Sequence, residues 1–349
     1  MVNRNWLLAA VVGPAVLASS NCFAQDEVAG FYKGKTLTIR VGYGTGGGFD
    51  TTTRLLARYY GSHVPGGPNV IVENMPGGGG MRVANYLYDA APKDGSMLGV
   101  FSPDVALEPL LGNKNAKFSA DKFSWIGSMT TDINSCGVWK GAGVGIKTLD
   151  DLLKSKKVVV FGSSGPQSNT SKYPLFMKNV LGAPIKVVTG YKGTKDVTLA
   201  MKRGEIDGLC GMQESSIKGA YWQDYQSGDL NVFVQLSMDR ASDVFKGVPR
   251  LSDALKSKGS ETMKIADIVF GPNDISRPIA APPGVPAARV AALRKALVDT
   301  LADPKAVADG KKIGIEWNPM TGEEVSKQLQ KFYQTPKEIV AKSVTATKE

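Results

Sequence analysis

The order strand, glycine-rich loop, helix, strand is the feature that most constrains the fold of this chain. Apolar and polar residues alternate over Leu37–Val41, which is typical of a β-strand with one buried face. The loop 42–48 follows, and apolar residues then recur at helical spacing over 50–60. A second strand is predicted over 69–73. Such a unit is the building block of a parallel sheet covered by helices.

The same order occurs again about 120 residues later in the sequence. It consists of an apolar strand over 158–161, a small-residue loop over 162–169, a helix over 170–180 and a strand over 185–188. Because each unit can start its own sheet, we expect an α/β protein with one unit in each of two domains. The length of 349 residues agrees with two domains.

Later segments fit the same plan. The sequence predicts a helix over 194–203, a strand over 206–210 and a further strand over 265–270. Pro286 opens a long helix with one apolar face, and a final amphipathic helix begins near Gly322. These elements extend both domains beyond their first units.

The helical tail sets the predicted domain limits. An amphipathic helix needs a partner for its apolar face, so we expect the tail to pack on the first domain. The first domain is then discontinuous, 25–134 and 262–349, and encloses a continuous second domain, 135–261. The chain would cross between the domains near Asn134 and Glu261.

Residues 1–24 are predicted to be an export signal. Arg4 is the only charged side chain before Asp26, and a 13-residue apolar stretch spans 6–18. This stretch is shorter than the roughly 20 residues that cross a bilayer, and small residues follow it, so we expect cleavage after Ala24 and a periplasmic protein. A lipoprotein signal at Cys22 is the alternative, but the residues before Cys22 lack the required pattern.

The formal net charge of +10 favours small anionic ligands over nucleic acid. The basic residues are scattered, and their densest group, 154–157, lies beside a predicted strand as a solvated edge. We therefore expect no nucleic-acid partner. A mild positive field would instead draw small anions towards the protein.

Two cysteines, Cys136 and Cys210, remain after the predicted cleavage. In an oxidising compartment such a pair can form a disulfide. Both also lie in or near apolar strand-like segments, as two separate buried thiols would. The sequence leaves both possibilities open.

The first glycine loop predicts an anion-binding site. Four of the five residues 44–48 are glycine, which lets backbone N–H groups approach a ligand. The helix that follows adds unpaired N–H groups and a partial positive charge. The second loop, 162–165, adds serine hydroxyls as donors. Two such loops on facing lobes would hold a small carboxylate, whereas we interpret 77–80 as a structural turn.

A dinucleotide site is the alternative for the first loop. Residues 42–47 match G-x-G-x-x-G between a strand and a helix, and Glu73 lies near the position of a ribose-binding acid. Nicotinamide cofactors are scarce outside the cytoplasm, and Glu73 continues directly into the turn 74–80. We therefore predict no cofactor.

Six short motifs occur in a characteristic order along the mature chain. They are Gly46-Gly47-Gly48-Phe49-Asp50, Val72-Glu73-Asn74-Met75-Pro76-Gly77-Gly78-Gly79-Gly80, Ala91-Pro92-Lys93-Asp94-Gly95, Gly190-Tyr191-Lys192-Gly193, Gly204-Glu205-Ile206-Asp207 and Ala281-Pro282-Pro283-Gly284-Val285-Pro286. Each motif is weak alone, but the ordered set is specific. Over nearly the whole mature chain it resembles the Bug family, the periplasmic solute receptors of tripartite tricarboxylate transporters.

The resemblance implies a two-lobed, type II periplasmic-binding-protein fold, with a mixed sheet flanked by helices in each lobe and a ligand cleft between the lobes. It implies a monomeric receptor that captures a small organic carboxylate and delivers it to a permease with one large and one small membrane subunit. The residues that it places at the ligand are Thr45, Gly46, Gly47, Gly48, Phe49, Asp50, Thr51, Ser102, Pro103, Asp104, Ser163, Ser164, Gly165, Asn169, Thr170, Tyr191, Met212, Gln213 and Glu214.

Two departures from the family pattern bear on the ligand. Phe49 stands where a small residue is usual and would add an apolar wall. The segment 211–214 follows a strand where the family often has Asp. An aromatic or larger carboxylate therefore stays open beside a simple tricarboxylate.

The sequence argues against an enzyme. His63 is the only histidine and lies in a Pro- and Gly-rich segment, and the common hydrolase and metalloprotease motifs do not occur. Asp50 and Glu214 could act as a pair of acids, as in a glycosidase, but a carboxylate at a helix start is explained by the helix dipole. Two alternatives to a transport receptor stay open, namely a ligand sensor of the same fold that signals to a membrane kinase and an exported hydrolase.

Overall fold

A computed structural model describes residues 26–349, so the predicted signal and its cleavage site lie outside the described residues. The described chain contains eleven strands in two separate sheets. The strands are β1 Thr36–Val41, β2 Asn69–Asn74, β3 Met97–Val100, β4 Ser124–Ser128, β5 Asn134–Trp139, β6 Val159–Ser163, β7 Ile185–Thr189, β8 Gly208–Gln213, β9 Leu230–Leu236, β10 Pro278–Ala281 and β11 Met320–Thr321.

Helices connect the strands and cover the sheets. They are α1 (26–32), α2 Gly48–His63, α3 Met81–Asp89, α4 Pro103–Ala106, α5 Leu149–Leu153, α6 Asn169–Leu181, α7 Thr194–Lys202, α8 Glu214–Ala220, α9 Trp222–Gln226, α10 Leu251–Leu255, α11 Ser260–Phe270, α12 Ala287–Ala302, α13 Pro304–Lys312, α14 Gly322–Tyr333 and α15 Lys337–Ala346. None of the helices in this part of the chain has the length and apolar character needed to cross a bilayer.

The first sheet has the strand order β11-β4-β10-β3-β1-β2. β1 pairs in parallel with β2 and β3, whereas β10 runs antiparallel to β3 and β4. The alternation in β1 has the expected result, because Leu37, Ile39 and Val41 are fully buried. From α12, Leu293 and Leu297 pack in the same core. The long helix after Pro286 thus covers this sheet with its apolar face.

The second sheet has the order β7-β6-β8-β5-β9. β6 is parallel to β7 and β8, and β5 is antiparallel to β8 and β9. Its core contains fully buried aromatic side chains such as Phe161 and Phe176. The structure therefore has two α/β lobes with one mixed sheet each, which confirms the predicted fold class.

One element differs from the sequence prediction. The predicted strand over 265–270 is the last part of helix α11. Ala266, Val269 and Phe270 are buried at helical spacing, and they pack in the core of the second lobe. The predicted strand is therefore wrong, because the same apolar residues form the buried face of a helix.

Two connecting segments cross between the lobes side by side. One follows Ser128 and the other precedes β10, and they are joined where the Met129 N–H donates to the Arg277 carbonyl at 3.1 Å. The Arg277 N–H in turn donates to Ser128 Oγ at 3.1 Å. We refer to these two paired segments as the hinge.

The C-terminal tail contacts both lobes. Ile339 of α15 packs in a first-lobe core, whereas Ala346 of the same helix packs in the second-lobe core beside α11. The tail was expected to pack on the first domain alone. The predicted limit at 261/262 stays a prediction, and the packing of α11 favours a limit after Phe270.

Candidate functional site

A cleft lies between the two lobes. It is formed where loops leave the carboxyl ends of β1, β6, β7 and β8. None of its lining side chains is formally charged. The lining residues are Tyr43, Gly47, Gly48, Phe49, Ser164, Ser168, Asn169, Thr170, Gly193, Thr194, Gly211, Met212, Gln213, Ser216 and Tyr221.

Three helices begin at this cleft. The residues that precede α2 and α7, Gly47 and Gly193, have no side chain to cap the helix. α6 begins after Ser168, whose hydroxyl accepts a hydrogen bond from the Thr170 N–H. The first N–H groups of a helix have no partner within the helix and carry a partial positive charge. Three such ends at a cleft whose lining has no charged side chain can form a site for an anion.

Asp50 holds the first glycine loop in its conformation through hydrogen bonds. Its Oδ2 accepts the Gly46 N–H at 2.8 Å, and its Oδ1 accepts Arg54 Nε at 2.9 Å and Asn74 Nδ2 at 2.8 Å. Burial alone would raise the pKa of Asp50, but these three hydrogen bonds together hold it below its ordinary value. Asp50 therefore stays ionised and holds the loop, and it does not line the cleft.

An aromatic pair forms one wall of the cleft. The rings of Tyr43 and Phe49 stack with their centroids 4.6 Å apart and an interplanar angle of 24°. The Tyr43 hydroxyl donates to the Gly79 carbonyl at 2.9 Å, and burial raises the pKa of Tyr43, so the hydroxyl keeps its proton. The departure at Phe49 thus has the predicted apolar consequence.

The second-lobe loop is held by a network of hydroxyls around Thr170. Thr170 Oγ1 lies 2.8 Å from Ser163 Oγ and 2.9 Å from Ser168 Oγ, and it accepts the Ser164 N–H at 3.1 Å. Ser171 Oγ donates to Ser163 Oγ at 2.6 Å. Because the hydroxyls satisfy one another, the loop keeps one shape and can present Ser164 and Ser168 to the cleft.

A β-bulge brings the backbone of β8 to the cleft. Ser135 pairs with Met212 and Cys136 with Cys210, so Gly211 is an extra residue in β8. Gly211 has a φ of +81°, which favours glycine, and a Cβ there would lie 3.1 Å from the Asn169 side chain. Cys136 and Cys210 are joined by a disulfide directly beside this bulge.

The lobes are in direct contact around the cleft, which is the closed arrangement. The Gly44 N–H donates to the Lys192 carbonyl across the interface at 3.0 Å. A Cβ on Gly79 would lie 2.9 Å from the backbone of Ser168, and one on Gly219 would lie 2.3 Å from the Ile313 carbonyl. Several glycines thus lie where the backbone of one lobe contacts the other lobe, and the turn 77–80 contains one of these contacts.

The structure brings eight of the predicted ligand residues together in the cleft lining. These are Gly47, Gly48, Phe49, Ser164, Asn169, Thr170, Met212 and Gln213. Gly46 and Thr51 line an adjoining chamber, and Thr45 donates a hydrogen bond to Asn74. The residues Asp50, Ser163, Gly165, Tyr191 and Glu214 support the loops from outside the lining.

Residues 102–104 lie near the hinge and outside the cleft lining. Ser102 and Asp104 are hydrogen-bonded to each other and are almost fully buried with Pro103. Tyr173 of the second lobe donates to Asp104 at 3.4 Å. Burial raises the pKa of Asp104. The segment therefore joins the lobes where they pivot.

Seven lining residues were missed by sequence reasoning. Ser168 carried a signal, because a serine directly before a predicted helix is a typical N-cap. Gly193 lies inside the family motif 190–193, and Tyr43 lies in the first glycine loop, 42–48. The approach of α8 and the following Tyr221 to the first lobe has no local signal. The missed residues are Tyr43, Ser168, Gly193, Thr194, Gly211, Ser216 and Tyr221.

Two lobes with an uncharged, donor-lined cleft between them are the arrangement of a solute-binding protein. Among residues 26–349 no three His, Cys, Asp or Glu side chains are grouped as metal ligands. The sequence pattern of TctC, the tripartite tricarboxylate transporter family receptor, matches residues 65–344. The chain therefore belongs to this family, and the resemblance to Bug receptors is confirmed.

Solved structures share the fold at low sequence identity. The periplasmic binding protein BugD has a TM-score of 0.71 and 21% identity, over 89% of this chain and 98% of BugD. MatC from Rhodopseudomonas palustris with bound malate has a TM-score of 0.67 and 18% identity, over 88% of this chain and 99% of MatC. A second R. palustris protein, bound to adipate, has a TM-score of 0.67 and 17% identity, over 89% and 97% of the two chains. No curated protein matches the sequence.

Proposed function

We propose that this protein is a periplasmic receptor that binds a small organic carboxylate in the interlobe cleft and delivers it, as a monomer, to a tripartite membrane permease. The observation that carries the proposal is the convergence of three helix N-termini on a cleft without charged side chains. Backbone and hydroxyl donors in that arrangement fit the two oxygens of a carboxylate.

The strength of such a site is sufficient for a receptor. A hydrogen bond to a charged group contributes about 1.5–3 kcal/mol, and micromolar affinity needs about 8 kcal/mol net. Five donors would reach this range only if closure also removes water and adds apolar contact. The stacked Tyr43 and Phe49, with Met212 on the other side, supply that apolar contact.

The lining also bears on the size of the ligand. Gly48 of the first lobe and Ser216 of the second lobe lie close together in the cleft. Tyr221 lines both the cleft and an adjoining chamber. The cleft is narrow between the aromatic wall and the second-lobe loop. We therefore expect a compact carboxylate, and two structural neighbours are bound to the small dicarboxylates malate and adipate.

Binding of a carboxylate panel tests the proposal. Thermal shift followed by calorimetry would measure malate, adipate, other di- and tricarboxylates and aromatic carboxylates on the mature protein. We expect at least one acid to raise the melting temperature and to bind with micromolar or tighter affinity. The primary amide of that acid is the control and should bind far more weakly.

Two outcomes would contradict the proposal. One is the absence of binding by every carboxylate of the panel, together with the absence of any acid in mass spectra of the purified protein. The other is a bound acid that is recovered chemically changed, since this would favour the exported hydrolase. Recovery of the unchanged acid agrees with a receptor.

A further inference from the structure

Arg277 is a buried cation whose side chain connects the two lobes. It precedes β10 of the first sheet and is fully buried. Its Nη1 donates to Asp132 Oδ2 and to Ser215 Oγ, each at 2.7 Å, and its Nη2 donates to Ser216 Oγ at 3.1 Å. Both serines belong to α8, which follows β8 of the second sheet. The guanidinium therefore attaches α8 to the first lobe through two hydroxyls.

The two serines differ in whether a residue of the protein accepts their hydroxyl proton. Ser215 is 4% exposed, and its hydroxyl donates to Asp132 Oδ2 at 2.9 Å, so its proton is used. Ser216 lines the cleft, and no residue in the described part of the chain accepts its proton. A hydroxyl has one proton and two lone pairs. Since the bond from Arg277 occupies a lone pair, the Ser216 proton is directed elsewhere.

Ser216 also lies beside the start of α2. A Cβ on Gly48 would lie 2.2 Å from Ser216 Oγ and 3.0 Å from Arg277 Nη2. Only a glycine at this position leaves the hydroxyl next to the first unpaired N–H groups of α2. A donor from the second lobe and donors from the first lobe therefore meet at one point of the cleft.

The guanidinium strengthens the donor that it holds. A hydroxyl that accepts a hydrogen bond from a cation is polarised and becomes a better donor itself. Asp132 balances the charge of Arg277, so the effect reaches the cleft through the Ser216 hydroxyl rather than through a long-range field. A polarised donor interacts more strongly with a carboxylate than with a neutral carbonyl oxygen.

We propose that Ser216, oriented by Arg277, donates to the anionic group of the ligand and sets the preference for a carboxylate over its neutral amide. This inference rests on the proposed function, since it assigns a donor within the same cleft. Arg277 is a positioning residue in this scheme. It touches Ser216 and borders the adjoining chamber, but it is not among the residues that line the cleft.

The experiment compares Ser216→Ala with the matched control Ser215→Ala. The probe is the acid of the panel, malate and adipate included, that binds the unmodified protein most tightly, together with its primary amide. We expect Ser216→Ala to weaken binding of the acid about tenfold or more and binding of the amide less than about threefold. Ser215→Ala should lower the melting temperature and leave the affinity for the acid within about twofold.

A double-mutant cycle tests the part played by Arg277. Arg277→Lys keeps a buried cation beside Asp132 but loses the fork that reaches both serines. Calorimetry should show weaker binding of the acid in Arg277→Lys and little further loss when Ser216→Ala is added. Fully additive losses would contradict action through Ser216.

The failures of the two proposals can be told apart. Tight binding of an acid by the unmodified protein, unchanged in folded Ser216→Ala, would overturn this inference and leave the receptor function intact. Equal losses for acid and amide would overturn the assigned preference. Absence of binding by the unmodified protein would contradict the receptor function and this inference together.

Discussion

The loop of the first lobe and the loop of the second lobe face the same cleft but are built from different chemistry. In the first, Gly47 and Gly48 present bare backbone, and Asp50 holds the loop from below. In the second, Thr170 lies at the centre of a hydroxyl network, and Ser164 lines the cleft. One loop depends on the absence of side chains and the other on side-chain hydroxyls. Ligand affinity should therefore be lost when a side chain is added to the first loop and when a hydroxyl is removed from the second.

The largest effect is expected from an added methyl group at Gly48. A Cβ there meets Ser216 Oγ at 2.2 Å, so Gly48→Ala must displace this hydroxyl or hold the lobes apart. We expect affinity for the panel acid to fall roughly 30-fold, because overpacking costs about 1–3 kcal/mol. Calorimetry measures the loss, and thermal melting should show a folded protein.

Gly47 provides the control for this substitution. A Cβ on Gly47 would lie 3.6 Å from its nearest neighbour, Thr194 Oγ1, which is an ordinary contact. Neither Gly47 nor Gly48 has a positive φ, so an alanine at either position does not have to adopt a left-handed backbone conformation. Gly47→Ala should therefore lose clearly less affinity than Gly48→Ala. Equal losses in both variants would show that contact with Ser216 is not the reason.

A smaller loss is expected when the second loop loses its central hydroxyl. Thr170→Val keeps the shape of the side chain but leaves Ser163 Oγ, Ser168 Oγ and the Ser164 N–H without their shared partner. We expect about tenfold weaker binding and a loss of stability of about 1–2 kcal/mol. Thr170→Ser should restore most of the affinity in the same titration.

Thr300→Val is the matched control for Thr170→Val. Thr300 is fully buried in α12, its Oγ1 donates to the Ala296 carbonyl of the same helix at 2.6 Å, and it lies outside the cleft lining. Its substitution should leave affinity unchanged. A tenfold loss in Thr300→Val would mean that general destabilisation, and not the hydroxyl network, governs binding.

Asp50 should show the smallest effect on affinity and a distinct dependence on pH. The pKa of Asp50 is lower in the folded protein than its ordinary value of 3.8. Its stabilisation is therefore complete above that value and is lost as the pH falls through the lower, folded pKa. At neutral pH, Asp50→Asn should lower the free energy of unfolding by about 1.5 kcal/mol and the affinity about fivefold. Because the variant has no carboxylate to protonate at this position, its stability should fall less steeply with acid than that of the unmodified protein.

Asp303 serves as the comparison for the acid titration. Asp303 caps α13 far from the cleft, and hydrogen bonds from the Lys305 N–H and from His63 lower its pKa. Asp303→Asn should reduce stability without changing affinity. Calorimetry measures the affinity of each variant, and thermal melts at acidic pH measure its stability. Only the Asp50 variant should lose affinity. An affinity of Asp50→Asn equal to that of unmodified protein would mean that the loop keeps its shape without the carboxylate.

The sequence predicted the parts of the site that have a local signal. Glycines 46–48 and the hydroxyls at 163–170 stand out because a loop between a strand and a helix is a short-range pattern. Ser216 and Tyr221 reach the cleft only because α8 approaches the first lobe, and no local sequence pattern indicates that approach. Asp104 followed a strand as expected but faces Tyr173 at the hinge.

The same division holds for the fold. The alternation in β1 and the apolar face of α12 specified their elements directly. The segment 265–270 did not, because a short run of apolar residues fits a strand or a buried helix face equally well. The contact of α15 with the second lobe depends on where α11 packs, and a sequence pattern does not contain that information.

The uncharged lining of the cleft has a consequence for the conditions in which the receptor operates. Salt screens exposed charges over a Debye length of about 10 Å at 0.1 M ionic strength, but it acts weakly on dipoles enclosed between two lobes. Capture by backbone amides and hydroxyls should therefore vary little between dilute and saline surroundings. The outer surface, with its net positive charge, would alter how fast an anion arrives and not how firmly it is held.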